Sequence, residues 1–282
     1  MASNPRSAGT AGAVRAIVGF TVLLLILMTV DLMLGPSEVG ISPRAVWDVM
    51  ASHLPLPSSL KPAAVDETAH TIVWDVRLPR AITAALVGAL LALAGVAFQG
   101  LLMNPLADPY TVGASAGAAV GAAAAEVLGV GVLAGGLVGT LAAFAAAVAA
   151  SALVYALARV DGRVSVQTFL LAGVVVGTML WSLIPLLMVL AGRADDLQRI
   201  YFYLIGSLQG ADWMRCLLLA PFAIIGGVIL WAWSRELNLM TLGEESAFHL
   251  GVPVEAYKRL VLALGALTTG AAVSVGGIIG FV

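Results

Sequence analysis

Charge is scarce in this chain of 282 residues: Asp, Glu, Lys and Arg make up 11%, against 61% apolar residues. That balance excludes an ordinary soluble domain, in which roughly a quarter of residues are charged, and it places the chain in a bilayer. The 14 basic and 16 acidic side chains leave a net charge of -2, so no nucleic acid or other polyanion is indicated as a partner. Cys216 has no second thiol to meet, and it can neither close a disulfide nor complete a metal site. Beside the apolar run Leu217 to Leu219 it reads as packing at lipid level. His53, His70 and His249 are scattered, with no Cys or carboxylate at ligand spacing, which argues against a metal site. The lysines stand in Leu60-Lys61-Pro62 and Tyr257-Lys258-Arg259. A phosphate-cradling loop needs Gly-Lys-Ser or Gly-Lys-Thr, so the chain is not itself an ATPase. Paired acids near midplane, which a secondary transporter would use, are also missing, and that class stays a more distant alternative.

What is present is a series of long apolar runs. A helix needs roughly 20 apolar residues to cross the hydrocarbon core. On that measure seven spans are visible: Val14 to Leu34, Ala81 to Leu102, Val112 to Leu133, Ala134 to Leu157, Thr168 to Ala191, Cys216 to Trp233 and Leu260 to Val282. The first follows Arg6 and Arg15, is longer than a signal-peptide core, and meets Gly35-Pro36 without an Ala-x-Ala site, so it reads as a retained helix. The stretch from Val112 to Ala158 carries one charge, Glu126, and must fold back at Gly129, Gly131, Gly135 and Gly136. Glu126 and Asp31 both lie close enough to span ends to reach the interface by depth.

Polar residues concentrate in the connections Gly35 to Arg80, Asn104 to Tyr110, Arg159 to Gln167, Gly192 to Arg215 and Ser234 to Arg259. Within the spans, Gly113, Gly117 and Gly121 recur every four residues, as do Gly131, Gly135 and Gly139. In lipid, close backbone approach over such small faces is what packs a bundle. The expectation is an all-α, polytopic membrane bundle in one domain, residues 1–282.

Two segments carry helix punctuation. Pro79 suits the first turn of a helix, so Arg77 and Arg80 flank a helix start. Cations there oppose the helix dipole by about 0.3–1 kcal/mol each, which calls for an anion: a lipid phosphate or an acidic partner. The run Gly243 to Pro253 reads as a very short helix, with Glu244 and Glu245 in its first turn, His249 near its end, Gly251 as stop and Pro253 beyond. It is too short to span anything and must dock on something, either the membrane surface or another protein. Ala247, Phe248 and Leu250 give it an apolar side. Asn104-Pro105-Leu106-Ala107-Asp108-Pro109 reads as a rigid turn.

Several stretches resemble the FecCD-type permeases of ABC importers. They are Arg77-Leu78-Pro79-Arg80; Leu86 to Gly95; Gln99 with Asn104 to Pro109; Gly113 to Ala118; Leu170-Leu171-Ala172-Gly173; Gly206-Ser207-Leu208 with Trp213; Leu242 to Ala247 with Leu250-Gly251-Val252; and Gly276 to Val282. The resemblance covers nearly the whole chain in order. It implies a type II importer permease of ten helices, of which seven are visible, and a chain cut short after Phe281-Val282, where the family continues into about three more helices. It also implies a second copy of the permease, two cytoplasmic ABC ATPase subunits and a periplasmic or lipid-anchored binding protein. ATP and Mg would sit on the ATPases, with no cofactor in this chain.

By the same resemblance, Arg77 and Arg80 would receive acidic residues of the binding protein. Gly243, Glu244, Glu245, Ala247, Phe248, Leu250 and Gly251, within a loop spanning 236–252, would form the coupling helix. Ser165, Val166 and Gln167 would align with a loop that narrows the cytoplasmic exit. The family location is the bacterial inner membrane. Basic residues divide seven to seven between the two sides, so the cytoplasmic N-terminus follows from the resemblance and not from the positive-inside rule. The cargo expected is an iron chelate, siderophore or haem, with vitamin B12 as the alternative.

Overall fold

A computed structural model describes residues 5–34, 41–55, 57, 62, 65–160 and 163–279. The motif end at Phe281-Val282, the Gly35-Pro36 break and Lys61 lie outside the described residues. The chain, read as one domain from its sequence, divides into two compact units, Met1–Ile82 and Thr83–Val282.

The first unit opens with α1 (Pro5–Met33), whose stretch Val14–Met33 is apolar on every side and almost wholly exposed, as a lipid-facing helix is. α2 (Pro43–His53) starts where the Ser42 side chain accepts from Ala45 N at 3.2 Å, with Pro43 at its first position, and it turns Val46, Val49 and Ala51 inward. α3 (Glu67–His70) starts where Asp66 accepts from Ala69 N at 3.0 Å. It passes without a break through a π-helical stretch, Thr71–Arg77, into α4 (Leu78–Leu102). The helix start expected at Pro79 is therefore displaced to Asp66-Glu67. Bonding widens ahead of the proline, with Leu78 N donating to Val73 O, and that wider turn takes up the ring without ending the helix.

The second unit holds the rest of α4 and eight further helices among the described residues. A short 3-10 turn, Pro109–Val112, leads into α5 (Ala114–Val127). A second 3-10 turn, Leu133–Gly136, leads into α6 (Leu137–Ala158). A two-residue ladder pairs β1 (Arg159–Val160) with β2 (Arg163–Val164), antiparallel, Arg159 facing Val164. Then come α7 (Val166–Leu190), α8 (Ala194–Ile205), α9 (Trp213–Ala232), α10 (Ser234–Met240), α11 (Glu244–His249) and α12 (Val254–Gly276).

Among the described residues six helices are long and apolar enough to cross a membrane: Val14–Met33, Glu67–Leu102, Leu133–Ala158, Val166–Leu190, Trp213–Ala232 and Val254–Gly276. The chain is a multi-pass, all-helical membrane protein. The third expected span is the exception. α5 has 14 residues, roughly 21 Å of helix, which falls short of the hydrocarbon core. It lies enclosed by α6, α7, α8 and α12, so its neighbours and not lipid satisfy its surroundings.

The glycine ladder Gly113, Gly117, Gly121 is half right. Gly113 is the left-handed residue that starts α5 (φ +80), while Gly117 and Gly121 bring α5 onto α6. A Cβ on Gly117 would lie 2.6 Å from Ala146 O, and one on Gly121 2.5 Å from Ala142 O. The second ladder is not a helix face. Gly131 and Gly135 belong to the reversal itself, and only Gly139 stands in α6, close against the Gly131 carbonyl.

Candidate functional site

α10 and α11 form a compact bracket before α12. After α10 the chain turns through Gly243, whose φ of +103 is a conformation that side-chain-bearing residues rarely adopt. Glu244 and Glu245 follow in the first turn of α11, where the helix dipole favours negative charge. The helix closes on Gly251 (φ +89): Gly251 N donates to Phe248 O at 2.9 Å and Val252 N to Ala247 O at 3.0 Å. Those two bonds make a Schellman end. The stop residue read from the sequence is thus where it was expected.

The apolar side of α11 is split. Ala247 is fully buried and belongs to the main core of the unit with Leu237, Met240, Val252 and Val261. Phe248 and Leu250 are 68% and 60% exposed, next to Leu242 at 64%. Ala247 therefore cannot face a partner, as expected of it; it anchors α11 to α12. The Schellman end draws Val252 under Ala247 and swings the following side chains outward.

Lys258, the fifth residue of α12, is 3% exposed. Its Nζ donates to Glu244 at 2.5 Å, to the Val164 carbonyl at 2.9 Å and to Glu255 at 3.3 Å. Glu255 accepts in turn from Val164 N at 3.3 Å. The sequence reading passed over this lysine. The signal was the spacing of Glu255 and Lys258, opposite charges three residues apart near a helix start.

Ser165, Val166 and Gln167 begin α7 directly after β2: Ser165 and Gln167 are exposed and Val166 is half-buried. The three line a cleft of about 740 Å³ whose other wall carries Glu244, Glu255 and Lys258. The expected exit loop and the expected coupling helix thus share one cleft.

Arg77 and Arg80 part ways. Arg77 is 5% exposed, and its Nη1 donates to Leu32 O at 2.7 Å and Met33 O at 3.3 Å, the last carbonyls of α1. The surface exposure expected of it does not hold, because the open end of α1 supplies acceptors that a buried guanidinium needs. Arg80, in the first turn of α4, is half-buried, and its Nε has no hydrogen-bond partner among the described residues.

At the other end of α12 a second polar group gathers. Glu126, expected to escape by depth, meets Arg199 of α8 at 2.7 Å, and Arg199 also donates to Asp196 at 2.6 Å. The Glu126 hydrogen bond is the main cause holding the Arg199 guanidinium above its usual range. Arg215 donates to Asp212 at 2.9 Å and to Gly135 O at 3.2 Å. The histidines are less scattered than their spacing indicates. His53 stacks on Trp74 with ring centres 3.5 Å apart, and its Nε2 lies 3.4 Å from that of His70. Among the described residues no group of three or more His, Cys, Asp or Glu is placed to hold a metal.

The chain is similar to known transport permeases. The hemin transport system permease protein HmuU of Yersinia pestis is 33% identical over 279 residues, covering 95% of this chain and 76% of the relative. The uncharacterized ABC transporter permease protein YvrB of Bacillus subtilis is 42% identical, covering 77% of this chain and 62% of the relative. For the cobalamin import system permease protein BtuC of Halobacterium salinarum the figures are 41%, 77% and 58%. The chain therefore spans about three fifths of the length of those last two relatives. A solved structure described as a metal-chelate type ABC transporter in an inward-facing conformation superposes with a TM-score of 0.74 at 27% identity, covering 94% of this chain and 77% of that one. The model of the FecCD transport family matches residues 23–282. From the short Gly-bounded α11 to the six membrane-length helices, and by that match over most of its length, this chain belongs to the FecCD transport family.

Proposed function

We propose that the chain is the membrane-spanning permease of a binding-protein-dependent ABC importer in the bacterial inner membrane. It works with a second copy of itself, two cytoplasmic ABC ATPases and a periplasmic or lipid-anchored binding protein, and its N-terminus is cytoplasmic. The observation that carries this reading is α11: a helix of six residues outside every membrane-length helix, pinned to the core by Ala247 and presenting Phe248 and Leu250 outward. A rigid bracket of that kind suits transfer of movement from an ATPase that binds and hydrolyses ATP on a separate subunit. Ser165, Val166 and Gln167 serve as the cytoplasmic gate, and Arg80 receives an acidic residue of the binding protein. Arg77 supports that edge by holding the end of α1.

The cargo is an iron chelate, siderophore or haem. The hemin permease relative, which matches 95% of this chain, supports that class. Vitamin B12 is the second reading, favoured by the cobalamin permease relative at 41% identity. The test of the reading is co-purification. Phe248→Asp with Leu250→Asp should release the ATPase while thermal unfolding of the permease stays unchanged; retention of the ATPase overturns the assignment. Uptake into proteoliposomes with haem, a ferric siderophore or cobalamin, each with its binding protein, separates the cargoes.

A further inference from the structure

Lys258 has no role in the reading above, yet it bonds both to α11 and to the residue just before the gate segment. We propose that Lys258 is a positioning residue for transport: it passes the displacement of α11 to Ser165–Gln167 through a clamp on Val164. The inference rests on the reading of α11 as the ATPase contact.

The geometry is specific. An ammonium has three protons to donate, and the three acceptors at Lys258 come from three stretches of chain: Glu244 in α11, Glu255 in α12 and the Val164 carbonyl in β2. Glu255 completes the clamp by accepting from the Val164 amide. Both backbone groups of Val164 are thus held by Glu255 and Lys258 of α12, and the very next residue, Ser165, caps the start of α7. Val164 is itself 3% exposed, so its two backbone groups depend on these partners. α11 packs on α10 and α12, and its polar link to Val164 runs through Lys258.

Packing alone does not account for the charge. Burying an ammonium works against desolvation, and an ion pair replaced whole by apolar side chains is often as stable or more so. Hydrogen bonds, unlike apolar contacts, are short and directional. A shift of Glu244 by about an ångström must therefore either break its bond or carry Lys258, and with it Val164, along. A methionine would fill the same space and transmit nothing.

The experiment uses the assembled transporter, permease with ATPase and binding protein, in proteoliposomes. Lys258→Met should keep ATPase binding and ATP hydrolysis, while uptake per ATP hydrolysed falls about tenfold, the usual scale of coupling between two sites. Ser165→Cys in the same background should lose its nucleotide-dependent labelling by a water-soluble maleimide. Lys258→Arg should restore part of both. Glu244→Ala removes the acceptor on α11 and leaves Lys258 its other partners, so it tests the same route should Lys258→Met fail to fold; it should lower uptake per ATP in the same direction. Unchanged uptake per ATP with intact labelling in Lys258→Met, or in Glu244→Ala, overturns the inference and leaves the ATPase reading standing. An ATPase that binds equally well to the Phe248→Asp, Leu250→Asp variant overturns that reading instead.

Discussion

Arg199 donates from Nε to Glu126 at 2.7 Å, joining α8 to the last turn of α5 across 73 residues of sequence. The one charge of the stretch from Val112 to Ala158 is thereby neutralised by a partner. The Arg199 side chain is 42% exposed and that of Glu126 is 15% exposed, so solvent screens the pair and its net worth is about 0.5–1 kcal/mol. A double-mutant cycle of Glu126→Gln and Arg199→Met, followed by thermal unfolding in detergent, should give a coupling of that size that shrinks in high salt. Strict additivity would show that the two side chains act independently.

Gly117 and Gly121 should not tolerate even a methyl group. Gly117→Ala gains helix propensity of about 1 kcal/mol, but the new Cβ would meet the Ala146 carbonyl and Ala150 Cβ, both 2.6 Å away. Backbone on the facing helix cannot step aside, and overpacking of this kind costs about 1–3 kcal/mol, so the net effect is a lower unfolding temperature. Gly227→Ala, with nothing within 4 Å of the added atom, should be neutral or stabilising. Equal behaviour of the two variants would contradict the α5 and α6 contact.

Ala247→Asp places a carboxylate in the core beside Leu237, Met240 and Val261. It should destabilise the permease by more than about 3 kcal/mol, because the charge has no partner there. Phe248→Asp, on an exposed side chain, should stay within about 0.5 kcal/mol of the parent. Unfolding curves of the two variants, taken without any ATPase, decide which face of α11 is inward.

Arg77→Met removes the two bonds to the Leu32 and Met33 carbonyls. Leaving buried acceptors unsatisfied costs about 1–3 kcal/mol, so α1 should fray at its end and become open to proteolysis near Met33. Arg80→Met should leave the fold intact and weaken capture of the binding protein, with a reduced dependence on salt. Weakened capture by Arg77→Met with no change in α1 protection would reverse these two roles.

The short helix over Glu244–His249 was legible because its punctuation is local: a glycine on either side and acids in the first turn act within one or two turns of helix. The membrane class was legible for a similar reason, since apolar length alone decides whether a helix can span. The start of the long helix at Asp66 was just as local, but Pro79 masked it, and only the π-helical widening at Thr71–Arg77 shows how the proline is passed.

What only the tertiary structure decided is which side of each short element faces in and which charges meet. Sequence spacing put Ala247, Phe248 and Leu250 together as an apolar set, but the pull of Val252 beneath Ala247 separates them. Arg77 and Arg80 look alike in Arg77-Leu78-Pro79-Arg80, and they differ because one points at the carbonyl end of α1. Lys258 and Val164, 94 residues apart, carry no local sign of each other. Their contact exists because burial forces a charge to find acceptors wherever the packed chain brings them, and that search is settled by the fold as a whole.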